Sequence, residues 1–261
     1  MSRRKHILEQ VSKGNLKVEE AERILRALAI EEVGELAKID IGRDIRKSIP
    51  EVILAEGKNS QDIIKISLKM LESEGRAIIS RIKKEDIDAI KRAVPKNVRV
   101  DIYEPARIVI LKSNNFPQEK TGGKIGILTA GTCDIPIAEE AKVIAEEMGC
   151  DVFVAYDVGV AGIHRLIPPL KRMIEEDVDV IIVIAGREGA LPTVVAGLVD
   201  VPVIAVPTSS GYGLGGKGIG ALMAMLQSCS LGLAVVNIDG GVAAGAVAAL
   251  IANRVAKFKK K

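Results

Sequence analysis

Aromatic side chains are almost missing from this 261-residue chain, which has no tryptophan, three phenylalanines and three tyrosines. Proteins that hold single-stranded nucleic acid stack bases on aromatic rings, so this scarcity argues against nucleic acid as a partner. Charge points the same way, because 37 Lys and Arg stand against 34 Asp and Glu for a net +3. The basic excess sits in residues 1–120, with 25 basic against 20 acidic, while residues 121–261 carry 12 and 14. The terminal lysines Lys257, Lys259, Lys260 and Lys261 fit a solvated helix end, where cations complement the dipole. Cys133, Cys150 and Cys229 have no CxxC spacing, and the two histidines form no cluster with them, which argues against structural zinc or a disulfide framework. The apolar stretch Ile219–Leu226 is too short to span a bilayer, so no membrane association is expected. Met1-Ser2-Arg3-Arg4-Lys5 leads into an amphipathic segment and not an apolar signal core, which fits a cytoplasmic protein. Neither GxGxxG nor the P-loop spacing occurs, so the generic NAD and ATP motifs are absent.

What is present changes character near Gly122. Residues 1–120 are charge-rich and read as a smaller mixed α+β domain. Their pattern predicts helices at Arg4–Ser12, Val18–Ala29, Asp62–Glu74 and Glu85–Ala93, and strands at Leu36–Ile41, Ala77–Ser80, Val98–Tyr103 and Ile108–Leu111, with a polar segment at Gly42–Ser48 and a short apolar one at Val52–Leu54. Lys112–Gly123, with Asn114-Asn115, Pro117 and Gly122-Gly123, reads as a linker into a second domain of residues 121–261. There a five-beat rhythm begins. Strands are predicted at Ile125–Thr129, Val152–Tyr156, Val180–Ile184, Val203–Val206 and Ala234–Ile238, each nearly continuous in Val, Ile, Ala or Leu. Helices are predicted after them at Ile137–Met148, Ile163–Glu175, Leu191–Leu198, Gly218–Gln227 and Val242–Val255. This alternation is the signature of a doubly wound α/β parallel sheet.

Such sheets bind ligands beyond the carboxyl ends of their strands, so those loops hold the candidate site. The first carries Thr129, Gly131, Thr132, Cys133 and Asp134, of which Thr132 and Asp134 also fit a helix cap. The second carries Asp157, Gly159, Ala161, Gly162, His164 and Arg165; the third carries Gly186, Arg187, Glu188 and Ala190. Ser209, Gly211 and Tyr212 belong to the glycine-rich fourth loop Pro207–Gly216, and Asn237 and Asp239 to the fifth. Small residues let backbone approach a ligand, and helix N-termini offer unpaired N–H groups to phosphate. Cys229 closes the small-residue helix after the fourth loop, where a thiol is either a core filler or a nucleophile. From Gly218 to Cys229 is eleven steps, ~16 Å at the helical rise, so Cys229 is expected far from the loops after Thr129 and Asp157 of its own chain. Basic residues of the N-terminal half, Arg43, Arg46 and Lys58, or Arg187 itself, are candidates to hold phosphate or carboxylate.

The first three loops resemble the family related to PurE, the aminoimidazole ribonucleotide carboxylases and mutases. Within it, Pro207–Gly213, Ser228-Cys229 and Val236-Asn237-Ile238-Asp239-Gly240 resemble the LarB branch, the pyridinium-3,5-biscarboxylic acid mononucleotide synthases. Ala37-Lys38-Ile39-Asp40, Arg43, Arg46, Pro50-Glu51-Val52-Ile53 and Glu56-Gly57-Lys58 resemble that branch's N-terminal region. One departure is Cys133, which stands where the family pattern has serine and offers a weaker hydrogen-bond partner. In the purine enzymes the third loop resembles Ala-Gly-Gly-Ala-Ala-His-Leu-Pro, whose histidine handles a proton; here that position is Ala190.

The resemblance implies a PurE-like, flavodoxin-like three-layer fold and carboxylation of a ring carried on a ribose phosphate. For the LarB branch it implies nicotinic acid adenine dinucleotide and CO2 or bicarbonate as substrates, with Mg2+ as the divalent cation that neutralises the diphosphate. Cys229 then fits the nucleophile and Glu188 the base, and cleavage of the phosphoanhydride releases AMP. The related purine enzymes are octamers, so a homo-oligomer, an octamer with sites shared between subunits, is implied as well. Two other readings stay open: a purine-type carboxylase or mutase, and a dinucleotide-binding protein without catalysis.

Overall fold

In the computed structural model, the described residues are 3–27, 31–33, 37–39, 47–114, 116 and 119–259. They form two compact units, residues 1–101 with 109–116 and residues 102–108 with 117–261. The first unit begins with helices α1 (Arg3–Ser12) and α2 (Val18–Ala27) and an antiparallel ribbon of β1 (Glu31–Val33) and β2 (Ala37–Ile39). A four-stranded sheet follows in the order β3 (Val52–Leu54), β4 (Arg76–Ser80), β6 (Ile108–Ser113), β5 (Val98–Tyr103), with α3 (Ser60–Glu74) and α4 (Lys84–Ala93) between strands. Helix α3 packs on β4 and buries Ile63, Ile66 and Met70, the stripe that its 3.6-residue period predicts. Asn59 caps it by accepting from the Asp62 amide at 2.9 Å, and Gly75 ends it at φ 74°.

One expectation changes in this unit. The linker begins later, because Lys112 and Ser113 extend β6; Lys112 pairs with Arg76 and is buried. Arg43 and Arg46 lie outside the described residues, as do the flanks of the strand expected at Leu36–Ile41.

The second unit is a doubly wound α/β layer structure. Its strands β7 (Lys124–Thr129), β8 (Asp151–Ala155), β9 (Val180–Ala185), β10 (Val203–Pro207) and β11 (Leu233–Val235) are all parallel, in the order β8-β7-β9-β10-β11. All six residues of β9 are buried, as its unbroken Val-Ile-Ile-Val-Ile-Ala run demands of a strand covered on both faces. Alternation then splits the core. Ile181, Val183 and Ala185 meet α6 (Ile167–Glu175), α7 (Leu191–Ala196) and α8 (Ile219–Leu226) through Leu170, Met173, Leu191, Val195, Ala221 and Met225. The other face carries α5 (Ile135–Glu147) and α9 (Gly241–Lys259), which pack on each other and on the central strands. Each fully buried large aliphatic side chain contributes ~1.5–3 kcal/mol.

Helices α5 and α9 meet backbone to backbone. A Cβ on Gly245 would lie 2.4 Å from the Ala141 carbonyl oxygen, so nothing larger than glycine fits there. By length and composition α9 could cross a membrane, but its Ala244, Ala248, Ala249 and Ala252 face is buried in this unit. The helix expected at Ile163–Glu175 starts at Ile167, because Pro168 and Pro169 lack N–H donors and belong in a first turn. Residues Val160–Arg165 form a separate 3-10 helix broken at Gly162. Strand β11 ends at Val235, three residues short of the expected Ile238, because the chain turns: the Gly240 amide bonds to the Asn237 carbonyl and Asp239 takes φ 54°.

Candidate functional site

The strand order reverses between β7 and β9, since the chain leaves β7 toward β8 on one side and β9 toward β10 on the other. The loops there diverge and leave a crevice, the usual ligand site of such sheets. It is a cleft of about 490 Å3 lined by the first four carboxyl-end loops. Eleven of the sequence-predicted residues meet in it: Gly131, Thr132 and Asp134; Asp157, Gly159, Ala161 and Arg165; Gly186, Arg187 and Glu188; and Tyr212.

Asp134 is the hub, only 3% exposed. One of its oxygens accepts the Gly131 amide at 3.0 Å; the other accepts the Thr208 hydroxyl at 2.7 Å and the Ser210 hydroxyl at 3.2 Å. Its carboxylate thus reaches back to the start of its own turn and gives helix α5 no side-chain cap. Instead it joins the first loop to the fourth. Thr129 stands beneath the floor, where its Oγ1 accepts the Asp157 amide at 3.0 Å and ties the first loop to the second. Gly159 presses against the first loop: a Cβ there would lie 2.5 Å from the Ala130 carbonyl oxygen.

Asp157, Arg187 and Asp239, each just beyond a strand, occupy the left-handed backbone region at φ 56°, 49° and 54°. Such a conformation costs an L residue ~1–2 kcal/mol and is found where surrounding structure enforces it, often at functional loops. The Asp157 carboxylate pairs with Arg165 at 2.7 Å. The Arg187 guanidinium lies over the Tyr212 ring at 4.2 Å from its centroid. Glu188 is exposed to the cleft beside it. At the end of β8, Tyr156 donates to Glu139; burial, reinforced by that carboxylate, pushes its phenol above the usual range.

The other expected residues lie elsewhere. Gly162 and the exposed His164 belong to the 3-10 helix but do not line the cleft. Gly211 backs Arg187, its position leaving 3.1 Å between a Cβ and the Arg187 amide nitrogen. The Ser209 amide donates to Asp239 at 2.9 Å, joining the fourth loop to the fifth, and Asn237 accepts the Ile238 amide. Lys58 belongs to the first unit and donates to the Leu54 carbonyl at 2.9 Å. Cys229 is exposed and far from the cleft lining. Its neighbours fix its place: Ser228 accepts from Thr193 at 2.9 Å, and Gly232 accepts the Val203 amide where β10 begins. That is the amino edge of the sheet, ~16 Å of strand from the carboxyl edge.

The cleft is also lined by Ser210, which sequence reasoning left out, and by Ala190 and the exposed Cys133, which it named as departures from the family pattern without a role in the site. The Thr208-Ser209-Ser210 run signalled hydroxyls in the fourth loop without showing which of them faces inward. Among the described residues no group of three His, Cys, Asp or Glu could hold a metal ion. Mg2+ nevertheless binds through one or two carboxylates and substrate phosphates, with water completing its shell. Glu188 and Asp157 could supply no more than that.

Residues 124–261 match the model of the family described as AIR carboxylase, and residues 30–114 match that of the LarB/PurE-like N-terminal domain. An uncharacterized protein of Methanocaldococcus jannaschii is 51% identical over 243 residues, which cover 92% of this chain and 93% of that protein. An N5-carboxyaminoimidazole ribonucleotide mutase of the same organism is 36% identical over 119 residues, 45% of this chain and 71% of the mutase. The mutase of Thermotoga maritima is 28% identical over 151 residues, 53% and 84% of the two chains.

Proposed function

The chain belongs to the AIR carboxylase family, and on that premise we propose that it carboxylates the pyridinium ring of nicotinic acid adenine dinucleotide at C5 and cleaves the phosphoanhydride. The products are pyridinium-3,5-biscarboxylic acid mononucleotide and AMP, as in the LarB branch. The observation that carries this reading is the third loop, which sets the exposed carboxylate of Glu188 in the cleft and leaves Ala190 where the purine enzymes have a histidine. The family description and the similarity to the mutases favour aminoimidazole ribonucleotide or its N5-carboxylated form as the competing substrate. Ala190, however, has no proton to give.

A pyridinium ring is electron-poor and does not attack CO2 unaided. Addition of the Cys229 thiolate forms a C–S bond and moves ring electrons to C5, which then forms a C–C bond to CO2. Glu188 takes the C5 proton, its electron pair re-forms the ring enamine, and the nitrogen lone pair then breaks the C–S bond, so that the thiolate leaves and the aromatic pyridinium returns. Ring chemistry therefore needs no oxidant or reductant. Water adds across the phosphoanhydride to release AMP. A divalent cation would sit on the diphosphate and neutralise its charge.

Because Cys229 stands at the amino edge of its own sheet, it reaches Glu188 only in a site built between subunits. The surface around it suits a second copy of the chain: Ile219, Met223 and Leu226 form an exposed apolar stripe along α8, and Leu231 is 93% exposed. A homo-oligomer, an octamer by analogy with the purine enzymes, would bury that stripe. The test is incubation with nicotinic acid adenine dinucleotide, bicarbonate and Mg2+, followed by mass spectrometry. Appearance of the biscarboxylated mononucleotide and AMP is expected. Turnover of aminoimidazole ribonucleotide with no dinucleotide product would overturn the reading.

A further inference from the structure

We propose that Arg187 selects the substrate by pairing, through the edge of its guanidinium, with a carboxylate carried on the substrate's flat ring. Two cations line the cleft among the described residues, Arg165 and Arg187. Arg165 is already neutralised by Asp157 at 2.7 Å. Arg187 has only the face of its guanidinium engaged, over the Tyr212 ring, and among the described residues no acceptor meets its N–H groups. An arginine stacked this way keeps a rigid, planar fork of donors in its own plane, the geometry that a carboxylate fills with two parallel hydrogen bonds.

The surroundings hold that fork in place. Arg187 holds a left-handed backbone while its side chain reaches the fourth loop, and Gly211 of that loop lies so near the Arg187 backbone that a Cβ there would come within 3.1 Å of the Arg187 nitrogen. Tyr212, 77% exposed, stands between Gly211 and Gly213 on a loop whose next members Leu214, Gly215 and Gly216 are exposed or half-buried. Its ring therefore serves as a platform: an aromatic acid paired edge to edge with Arg187 continues the flat layer above Tyr212. A ring carboxamide in the same place offers its carbonyl oxygen to one guanidinium N–H but turns its NH2 against the other, so one of the two parallel bonds and the charge pairing are lost.

This selectivity rests on the dinucleotide reading above and is tested separately from it. Equilibrium binding of nicotinic acid adenine dinucleotide and of its amide counterpart, NAD, is measured calorimetrically on the whole protein, its R187M and R187K variants, and Y212F. The unaltered protein is expected to prefer the acid by roughly ten- to a hundredfold, the range of a charge-assisted pair. R187M should lose that preference by weakening the acid alone, R187K should keep part of it, and Y212F should keep most of it. Equal loss of both ligands in R187M would mean that Arg187 holds phosphate, and an acid preference that survives R187M would place the reader elsewhere; either overturns this inference and leaves the dinucleotide reading standing. An unaltered protein that binds neither dinucleotide overturns both.

Discussion

Removing the Asp134 carboxylate should loosen the cleft by an amount that the structure lets one work out. In Asp134→Ala the Gly131 amide loses its acceptor, and the hydroxyls of Thr208 and Ser210 lose theirs. Those hydroxyls are 2.8 Å apart, so one can turn to the other, and two donors are left unmet. Thr208 is 1% exposed, so water does not replace the lost bond there. Each hydrogen bond to a charged acceptor contributes ~1.5–3 kcal/mol, which gives a cost of about 3 kcal/mol or more. For a chain of this size that lowers the melting temperature by roughly 6–12 °C. Asp134→Asn keeps an oxygen for the hydroxyls and turns N–H groups toward the Gly131 amide, so it should lose about half as much. Scanning calorimetry of both variants checks the order. A double variant, Asp134→Ala with Thr208→Val, removes the orphaned hydroxyl and should cost less than the two single changes added together. Additive costs, or an Asp134→Ala protein that melts within ~2 °C of the parent, would show that the carboxylate is not the tie between the first and fourth loops.

Gly245→Val should force α5 and α9 apart, since even the first added carbon meets the Ala141 carbonyl at 2.4 Å; a loss of ~2–3 kcal/mol is expected, while Ala243→Val on the exposed side of α9 should change little, and equal melts would refute the close contact. Burial pushes the Cys150 thiol up to about 12. Its folded value exceeds the unfolded one, so the stability it contributes is complete below the ordinary thiol range and is lost as pH climbs toward about 12; at ~pH 8 an alkylating reagent should reach Cys150 only after unfolding, and peptide mapping that finds it labelled as fast as Cys133 in the folded protein would count against this placement. Cys229→Ser should abolish carboxylation while Cys133→Ser and Cys150→Ser keep it; Glu188→Gln should cut turnover more than binding. Mixing the inactive Cys229→Ser and Glu188→Gln proteins under subunit exchange should restore part of the activity, and a fully active monomer by light scattering would refute the shared site.

How much of this was legible in the sequence depends on how far apart the interacting residues are. The β9 run of six apolar residues can only be a strand buried on both faces, and the loops after each strand follow from it. What Asp134 does could not be seen, because its hydroxyl partners are 74 and 76 residues away and a capping aspartate has the same local pattern. The Arg187–Tyr212 stack is hidden for the same reason: neither loop carries a signal of the other. The prolines at Pro168-Pro169 did carry a signal that was passed over, since they mark where α6 begins. Cys229 is the instructive case. A fixed rise per residue is enough to put it at the far end of its helix, and the Gly232–Val203 hydrogen bond sets that end at the amino edge of the sheet. Glu188 follows the carboxyl end of β9. On the proposed roles, with Cys229 as nucleophile and Glu188 as base, the two stand at opposite edges of one parallel sheet, and the proposed covalent chemistry then requires that a neighbour's amino edge meet this chain's carboxyl edge. Assembly is then part of the catalytic machinery, and a substitution on the exposed Ile219–Met223–Leu226 stripe should silence turnover without touching a residue of the cleft.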